Sequence, residues 1–341
     1  MGGKTVVYAA NTGTSDISMM ELEPSGQLRS LGVMPASGPA STIAVGPDKR
    51  FLHVSIRSEQ PGVETFAIDP SNGGLRSVSR MPAPDIMTYL SMDATGGFLL
   101  GASYRGNLAV VWKAGPDGLP VARPLAVLEA GIRLHAVLAD PSNRFVFVPA
   151  LGGDVVLQYA FDARTGALRP NTPPSVRTPE GSGPRHFRFS PDGRFVYLLT
   201  ELSGDLITYA FDAASGLLEE RSTISIIPPV APEQKALRMW AAEIQVRPDG
   251  RFVYASERTS GNIVCFKADV ETGALRYAHH ITAEEQPRGF AIDPTGGYLV
   301  AAGELSGHVS CYAIDGETGA LRDISRVPVG QGTNWVTILP L

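Results

Sequence analysis

Apolar and polar positions alternate along most of this chain in short runs, and turn residues separate the runs. Residues 183–201 show the unit. Phe187 and Phe189 alternate with polar neighbours, Pro191-Asp192-Gly193 interrupts, and Phe195-Val196-Tyr197-Leu198-Leu199 follows as an apolar run. A period of two marks a strand. Pro presets its own φ and Gly accepts a positive one, so the triplet predicts a tight turn. The apolar run predicts a second, buried strand. In the antiparallel hairpin that results, Arg185 and His186 at the start of the first strand lie beside Glu201 at the end of the second.

The unit repeats. A turn followed by Gly-x-Leu or its equivalent recurs seven times, and its glycines are Gly26, Gly73, Gly118, Gly166, Gly216, Gly273 and Gly319, spaced 47, 45, 48, 50, 57 and 46 residues apart. The Pro-turn hairpin recurs alongside it at Pro47, Ala94, Pro141, Pro191, Pro248 and Pro294. Each repeat offers four strands, and a period of this size with four strands is the signature of a propeller blade. The expected fold is all-β, a seven-bladed β-propeller of four-stranded antiparallel blades filling residues 1–341 as one domain. Tandem β-sandwiches would not repeat one unit seven times. The chain opens on Thr5-Val6-Val7-Tyr8-Ala9-Ala10, a second-strand type with no first strand before it. It closes on 334–341, a first-strand type with no second after it. The C-terminal strand is therefore expected to pair with the N-terminal strands and close the ring, which removes open sheet edges. The longest insertion, 224–237, is a candidate lid or a surface loop.

Composition narrows the function. The net charge of -5 and the lack of a basic run argue against nucleic acid as partner. Two cysteines, Cys265 and Cys311, make neither a disulfide framework nor a zinc site and read as core residues. No apolar span has the length of a membrane helix. A strand begins almost at the N-terminus, leaving no room for a signal peptide, so a cytoplasmic protein without a membrane partner is expected. Motifs for phosphate loops, nucleophile elbows or metalloproteases do not occur.

Aligning the repeats on the turn proline exposes the candidate site. Six positions before it stand Ser41, Thr88, His135, Arg185, Ala242, Arg288 and Asn334. Two positions later the residues are Ile43, Leu90, Val137, Phe187, Ile244, Phe290 and Val336, a wholly apolar layer. Ten positions after it, at the end of the second strand, stand Arg57, Tyr104, Leu151, Glu201, Arg258 and Glu304, with Thr12 in the closing blade. Antiparallel pairing puts both polar rings at one end of the channel. Several arginines converging there suit a small anionic ligand.

Gly-Pro-Arg-His-Phe (183–187), Pro-Asp-Gly-Arg-Phe-Val-Tyr (191–197), Thr-Glu-Leu (200–202), Ala-Ala-Glu-Ile (241–244) and Pro-Arg-Gly-Phe (287–290) carry a resemblance over essentially the whole chain. With them the sequence resembles the seven-bladed propeller lactonases, which include propeller-type 6-phosphogluconolactonases and fungal carboxymuconate-lactonizing enzymes. The resemblance implies hydrolysis of a sugar lactone, 6-phosphogluconolactone first. It implies a site of one His, two Arg and one Glu, which fall on His135, Arg185, Arg258 and Glu201. Around His135 the sequence reads Gly131-Ile132-Arg133-Leu134 and departs from the Gly-Pro-Arg-His form. Ring opening needs a base for water and a positive group on the oxyanion. Glu201 or His135 is the expected base and Arg185 the oxyanion partner. Arg258 or Arg288 would hold the substrate's phosphate or carboxylate, with His186 and Glu304 as further substrate-binding residues. No cofactor and no metal is expected. The alternatives are a carboxymuconate cycloisomerase, a metal-dependent lactonase using Glu201, Glu304 and Asn334, and a non-catalytic binding platform.

Overall fold

Each predicted hairpin forms. The computed structural model describes residues 3–229 and 238–341, and these build seven four-stranded antiparallel sheets. Their innermost strands are Ala40–Val45, Tyr89–Met92, Leu138–Ala139, Pro184–Phe189, Ala241–Val246, Pro287–Ile292 and Thr333–Pro340. The last pairs antiparallel with Thr5–Asn11, in the register Val7 to Ile338, so one blade takes its inner strand from the C-terminus and three from the N-terminus. Helix is confined, among the described residues, to one turn at Leu151–Gly153, and no helix is long and apolar enough to cross a membrane. Ile224 and Ser225 continue the outer strand Leu217–Ser225. Most of the insertion expected from the sequence, 230–237, lies outside the described residues.

The two repeat markers meet across blade boundaries. Every Gly of the Gly-x-Leu marker has φ between 70 and 85°, a region closed to most side chains. Each also faces the start of the second strand in the preceding blade. Gly216 lies against the ring of Phe145, Gly273 against Phe195, Gly319 against Phe252 and Gly166 against Phe98. In six of the seven blades the outer turn thus rests on a neighbour's aromatic ring, while the turn of Gly73 rests on Val6. The apolar layer is core as expected, with Ile43, Leu90, Val137, Phe187, Ile244, Phe290 and Val336 all buried. Cys265 and Cys311 are buried free thiols on the third strands of their blades, Asn262–Ala268 and His308–Ile314.

A distortion at the head of the inner strands positions the site. In five blades the ladder slips there, between Ala10 and Asn11 opposite Asn334, between Ala40 and Ile43, Pro184 and His186, Ala241 and Ile244, and Pro287 and Gly289. A bulge adds an unpaired residue and re-aims its side chain. The extra residues include Ser41, Arg185, Ala242, Arg288 and Asn334, five of the seven rim positions read from the sequence. The second ring is fixed as regularly. The backbone N–H of Thr12, Arg57, Leu151, Glu201, Arg258 and Glu304 each donates to the carbonyl two residues before the rim residue of its own blade. Tyr104 differs, its N–H donating to the side chain of Thr88 at 3.2 Å.

Candidate active site

Ser41, Thr88, His135, Arg185, His186, Arg288, Asn334 and Trp335 line one recess at the mouth of the channel. Six of the seven rim residues converge there. Its free volume is about 10 Å³, room for roughly one water molecule. Any ligand larger than that has to lie across the mouth.

Glu201 is the hub of one side of the mouth. Its Oε2 accepts from Arg185 Nε at 2.7 Å, lies 3.3 Å from Arg258 Nη2, and stands 3.8 Å from His135 Nε2. All four residues are buried, Arg185 being only 2% exposed. Arg185 spends Nη1 on the carbonyl of Ala242 and on the His186 ring. Its Nη2 has no partner among the described residues and is the donor left for a ligand. Arg258 lies flat on Trp240, 3.8 Å from the ring centre, and donates to the carbonyls of Trp240 and Ala241 at 3.0 and 3.2 Å. That stacking fixes the guanidinium and leaves it little freedom to follow a substrate.

The mouth carries excess positive charge. Arg57, Arg185, Arg258 and Arg288 stand at the mouth against Glu201 and Glu304, with Glu243 acting on Arg185 from the layer below, and Arg288 Nη1 bonds Glu304 Oε1 at 2.7 Å. Burial, Arg185 and Arg288 lower the Arg258 pKa, and burial, Arg288 and Arg105 lower that of Arg57. An anion would relieve both. Burial first, then Arg185, His186 and Arg288, hold His135 well below its ordinary pKa, so it is neutral at pH 7. His135 Nδ1, Glu304 Oε2 and Asn334 Oδ1 are buried with no hydrogen-bond partner among the described residues. Buried polar atoms normally find partners. Two of these residues line the recess and the third, Glu304, is paired with Arg288, which also lines it, and such a group of orphans marks a place built for a ligand or water.

One layer down, the channel is closed. His186 Nδ1 lies 3.2 Å from Glu243 Oε2, Arg188 Nη2 reaches Glu243 Oε1 at 3.0 Å, and Arg188 Nη1 reaches the Tyr89 hydroxyl at 3.0 Å. With Nδ1–H donating to Glu243, Nε2 of His186 is left to accept from Arg185. The rings of Tyr89, His186 and Trp335 pack edge-on, with centroids 5.1 to 6.1 Å apart. His186 thus serves as the floor under Arg185 while still lining the recess. Of the residues expected from the sequence, Glu201, His135, Arg185 and Arg258 form one cluster, and Arg288 with Glu304 forms a second at the same mouth. Glu243, expected from the sequence only as a reserve carboxylate flanking the rim together with Glu257, lies in the layer below the recess, and Tyr89, Trp240 and Trp335 were not anticipated as parts of the site. Shifting the repeat alignment by one position yields Tyr89, His186, Glu243 and Trp335 together. Their large polar and aromatic side chains, facing the axis, were the available signal.

Known proteins agree with this architecture. The profile of the family described as Lactonase, 7-bladed beta-propeller matches residues 5–338. The 6-phosphogluconolactonase of Serratia proteamaculans (strain 568) is 34% identical over 98% of this chain and 99% of its own. That of Cronobacter sakazakii (strain ATCC BAA-894) is 37% identical over 98% of each. Among solved structures, the periplasmic gluconolactonase of Pseudomonas aeruginosa superposes with a TM-score of 0.89 at 25% identity, covering 98% of this chain and 99% of that one.

Proposed function

The chain belongs to the seven-bladed β-propeller lactonase family, and from that premise we propose that it hydrolyses 6-phosphogluconolactone to 6-phosphogluconate at the Glu201, His135, Arg185 and Arg258 cluster. The observation that carries the reading is the charge of the mouth: four guanidinium groups against two carboxylates, both of which are already engaged by arginines. Such a site is matched to a substrate that is anionic before and after ring opening.

The arrangement suggests a division of labour. Glu201 is held by two arginines, so it is assigned to orient them. His135, neutral and with Nδ1 unengaged, is assigned to take a proton from the attacking water as its oxygen bonds to the lactone carbonyl carbon. Arg185 Nη2 would meet the charge on the carbonyl oxygen. When the tetrahedral adduct collapses, the bond to the ring oxygen breaks and that oxygen takes the proton back from His135. A bound phosphate would raise the His135 pKa toward the working range, which favours proton transfer in the loaded enzyme.

No group of three or more His, Cys, Asp and Glu that could hold a metal occurs among the described residues. Glu201 and Glu304, the carboxylates a metal site would recruit, are in ion pairs. The division of labour above assigns every step to side chains, and the EDTA comparison below tests it. A phosphorylated lactone is too polar to cross a bilayer unaided, so the same reading places the enzyme in the cytoplasm.

The test is hydrolysis of freshly generated 6-phosphogluconolactone, corrected for spontaneous opening, with and without EDTA. Rapid turnover in both conditions is expected. Loss with EDTA would require a metal mechanism. No turnover above the spontaneous rate would discard the phosphosugar and bring forward a muconate, whose carboxylates make a similar demand on the arginines.

A further inference from the structure

Arg57 differs from the other arginines of the mouth. It follows the strand Phe51–Ile56, and its backbone N–H donates to the Pro39 carbonyl at 2.9 Å, which holds it in the ring shared with Glu201, Arg258 and Glu304. Its guanidinium is half-buried, yet it has no hydrogen bond or ion pair among the described residues. Arg185 and Arg258 share Glu201, and Arg288 has Glu304. Its charged neighbours are two more cations, Arg288 and Arg105, and, acting more weakly, the carboxylate of Glu304, which Arg288 already holds. A folded chain that places an unpaired guanidinium beside two others bears a repulsion that a ligand anion would convert into attraction.

The neutral groups beside it point the same way. Ser41 Oγ accepts from Asn334 Nδ2 at 3.3 Å, and Thr88 Oγ1 accepts from the Tyr104 N–H at 3.2 Å. Neither hydroxyl hydrogen has an acceptor among the described residues, and both residues line the recess. Ser41 belongs to the blade of Arg57, and Thr88 to the next blade. Arg185 is three blades away, across the axis.

We propose that Arg57, with Arg288 and the hydroxyls of Ser41 and Thr88, forms the subsite that reads the substrate's phosphate, opposite the half of the mouth where the lactone opens. The inference rests on the lactonase reading and adds to it the residue that separates a phosphorylated from an unphosphorylated sugar lactone. In such a lactone C1 and C5 flank the ring oxygen, and the carbonyl oxygen and the phosphate arm diverge from it to either side, so a ring lying across the mouth can present the two groups to different blades. A guanidinium bonds phosphate in a bidentate fork that an ammonium cannot reproduce.

The experiment compares wild type, Arg57→Ala and Arg57→Lys on 6-phosphogluconolactone and on glucono-1,5-lactone. The preference for the phosphorylated lactone, taken as the ratio of kcat/KM values, is expected to fall at least about tenfold in Arg57→Ala, through KM more than kcat. Arg57→Lys should recover part of it. The melting temperature of Arg57→Ala should be no lower than that of wild type, because the guanidinium has no hydrogen bond or ion pair to lose and the repulsion from Arg288 and Arg105 outweighs the attraction of Glu304. An unchanged ratio, or equal losses on both lactones, overturns the proposal. If wild type opens neither lactone, the functional reading fails by itself. Calorimetric titration with inorganic phosphate then decides the subsite: weaker binding to Arg57→Ala upholds it, and equal binding overturns it.

Discussion

Arg185 is a guanidinium almost sealed from solvent, with Nε on Glu201, Nη1 on a carbonyl and a histidine, and Nη2 unspent. Its role in the scheme begins only when charge appears on the carbonyl oxygen. Arg185→Ala should therefore lower kcat by at least about tenfold, measured on protein whose circular dichroism matches wild type. Full activity in the folded variant would sink the assignment. The neighbouring imidazole gives a second check. Burial first, and then Arg185, depress the His135 pKa. A general base must be unprotonated to work, so the acid limb of kcat/KM against pH should lie below 6.5. Replacing Arg185 by Met removes a cation that disfavours the imidazolium, so the limb should move to higher pH. A limb at or above 6.5 in wild type, or one that Arg185→Met leaves in place, would take the base's role from His135. These residues were legible in the sequence because each occupies one fixed offset from a turn proline in its own repeat. Their states of charge were not. Whether Glu201 is free or clamped depends on Arg258, which arrives from the next blade and is steered by Trp240, a contact that no spacing within a repeat records.

Strands tell the same story one level up. The hairpins, their order and the blade count follow from period-2 alternation and turn chemistry, and both can be read locally. The bulges at the rim cannot, because alternation assigns neighbouring residues to opposite faces. A strict reading would therefore send either Arg185 or His186 away from the axis, whereas the slip between Pro184 and His186 brings both to the recess. The docking of one blade on the next was half legible. The Gly marker and the aromatic after the Pro turn were both visible, but their contact crosses from one repeat to another. That contact yields a prediction. A Cβ on Gly216 would stand 2.1 Å from the Phe145 ring, at a φ of 70°. Left-handed backbone strain and overpacking act together there, each costing about 1–3 kcal/mol. Gly216→Ala should thus destabilise the protein by about 2–6 kcal/mol in urea unfolding, while KM for the lactone stays near the wild-type value. A stability loss below about 1 kcal/mol would show that the blade interface yields easily.

For the whole molecule, closure is the feature with most at stake, because it joins the two ends of the chain in one blade. The strand Thr333–Pro340 is hydrogen-bonded to Thr5–Asn11, buries Val336 and Leu339, and carries Asn334 and Trp335 into the recess. Without it, the inner edge of Thr5–Asn11 faces the channel unpaired, and the blades on either side lose a shared wall. Burying two aliphatic side chains contributes about 3–6 kcal/mol, and the lost ladder adds to that. If the ring unfolds as one unit, that loss is felt in every blade. Deleting 334–341 should then lower the melting temperature by about 5 °C or more in a single transition, with aggregation at the exposed edge. A truncated chain that melts with wild type would mean that the seven blades do not depend on closure. A chain that melts in two steps would mean that the closing blade is a separate cooperative unit and that the mouth is built from two parts that can come apart.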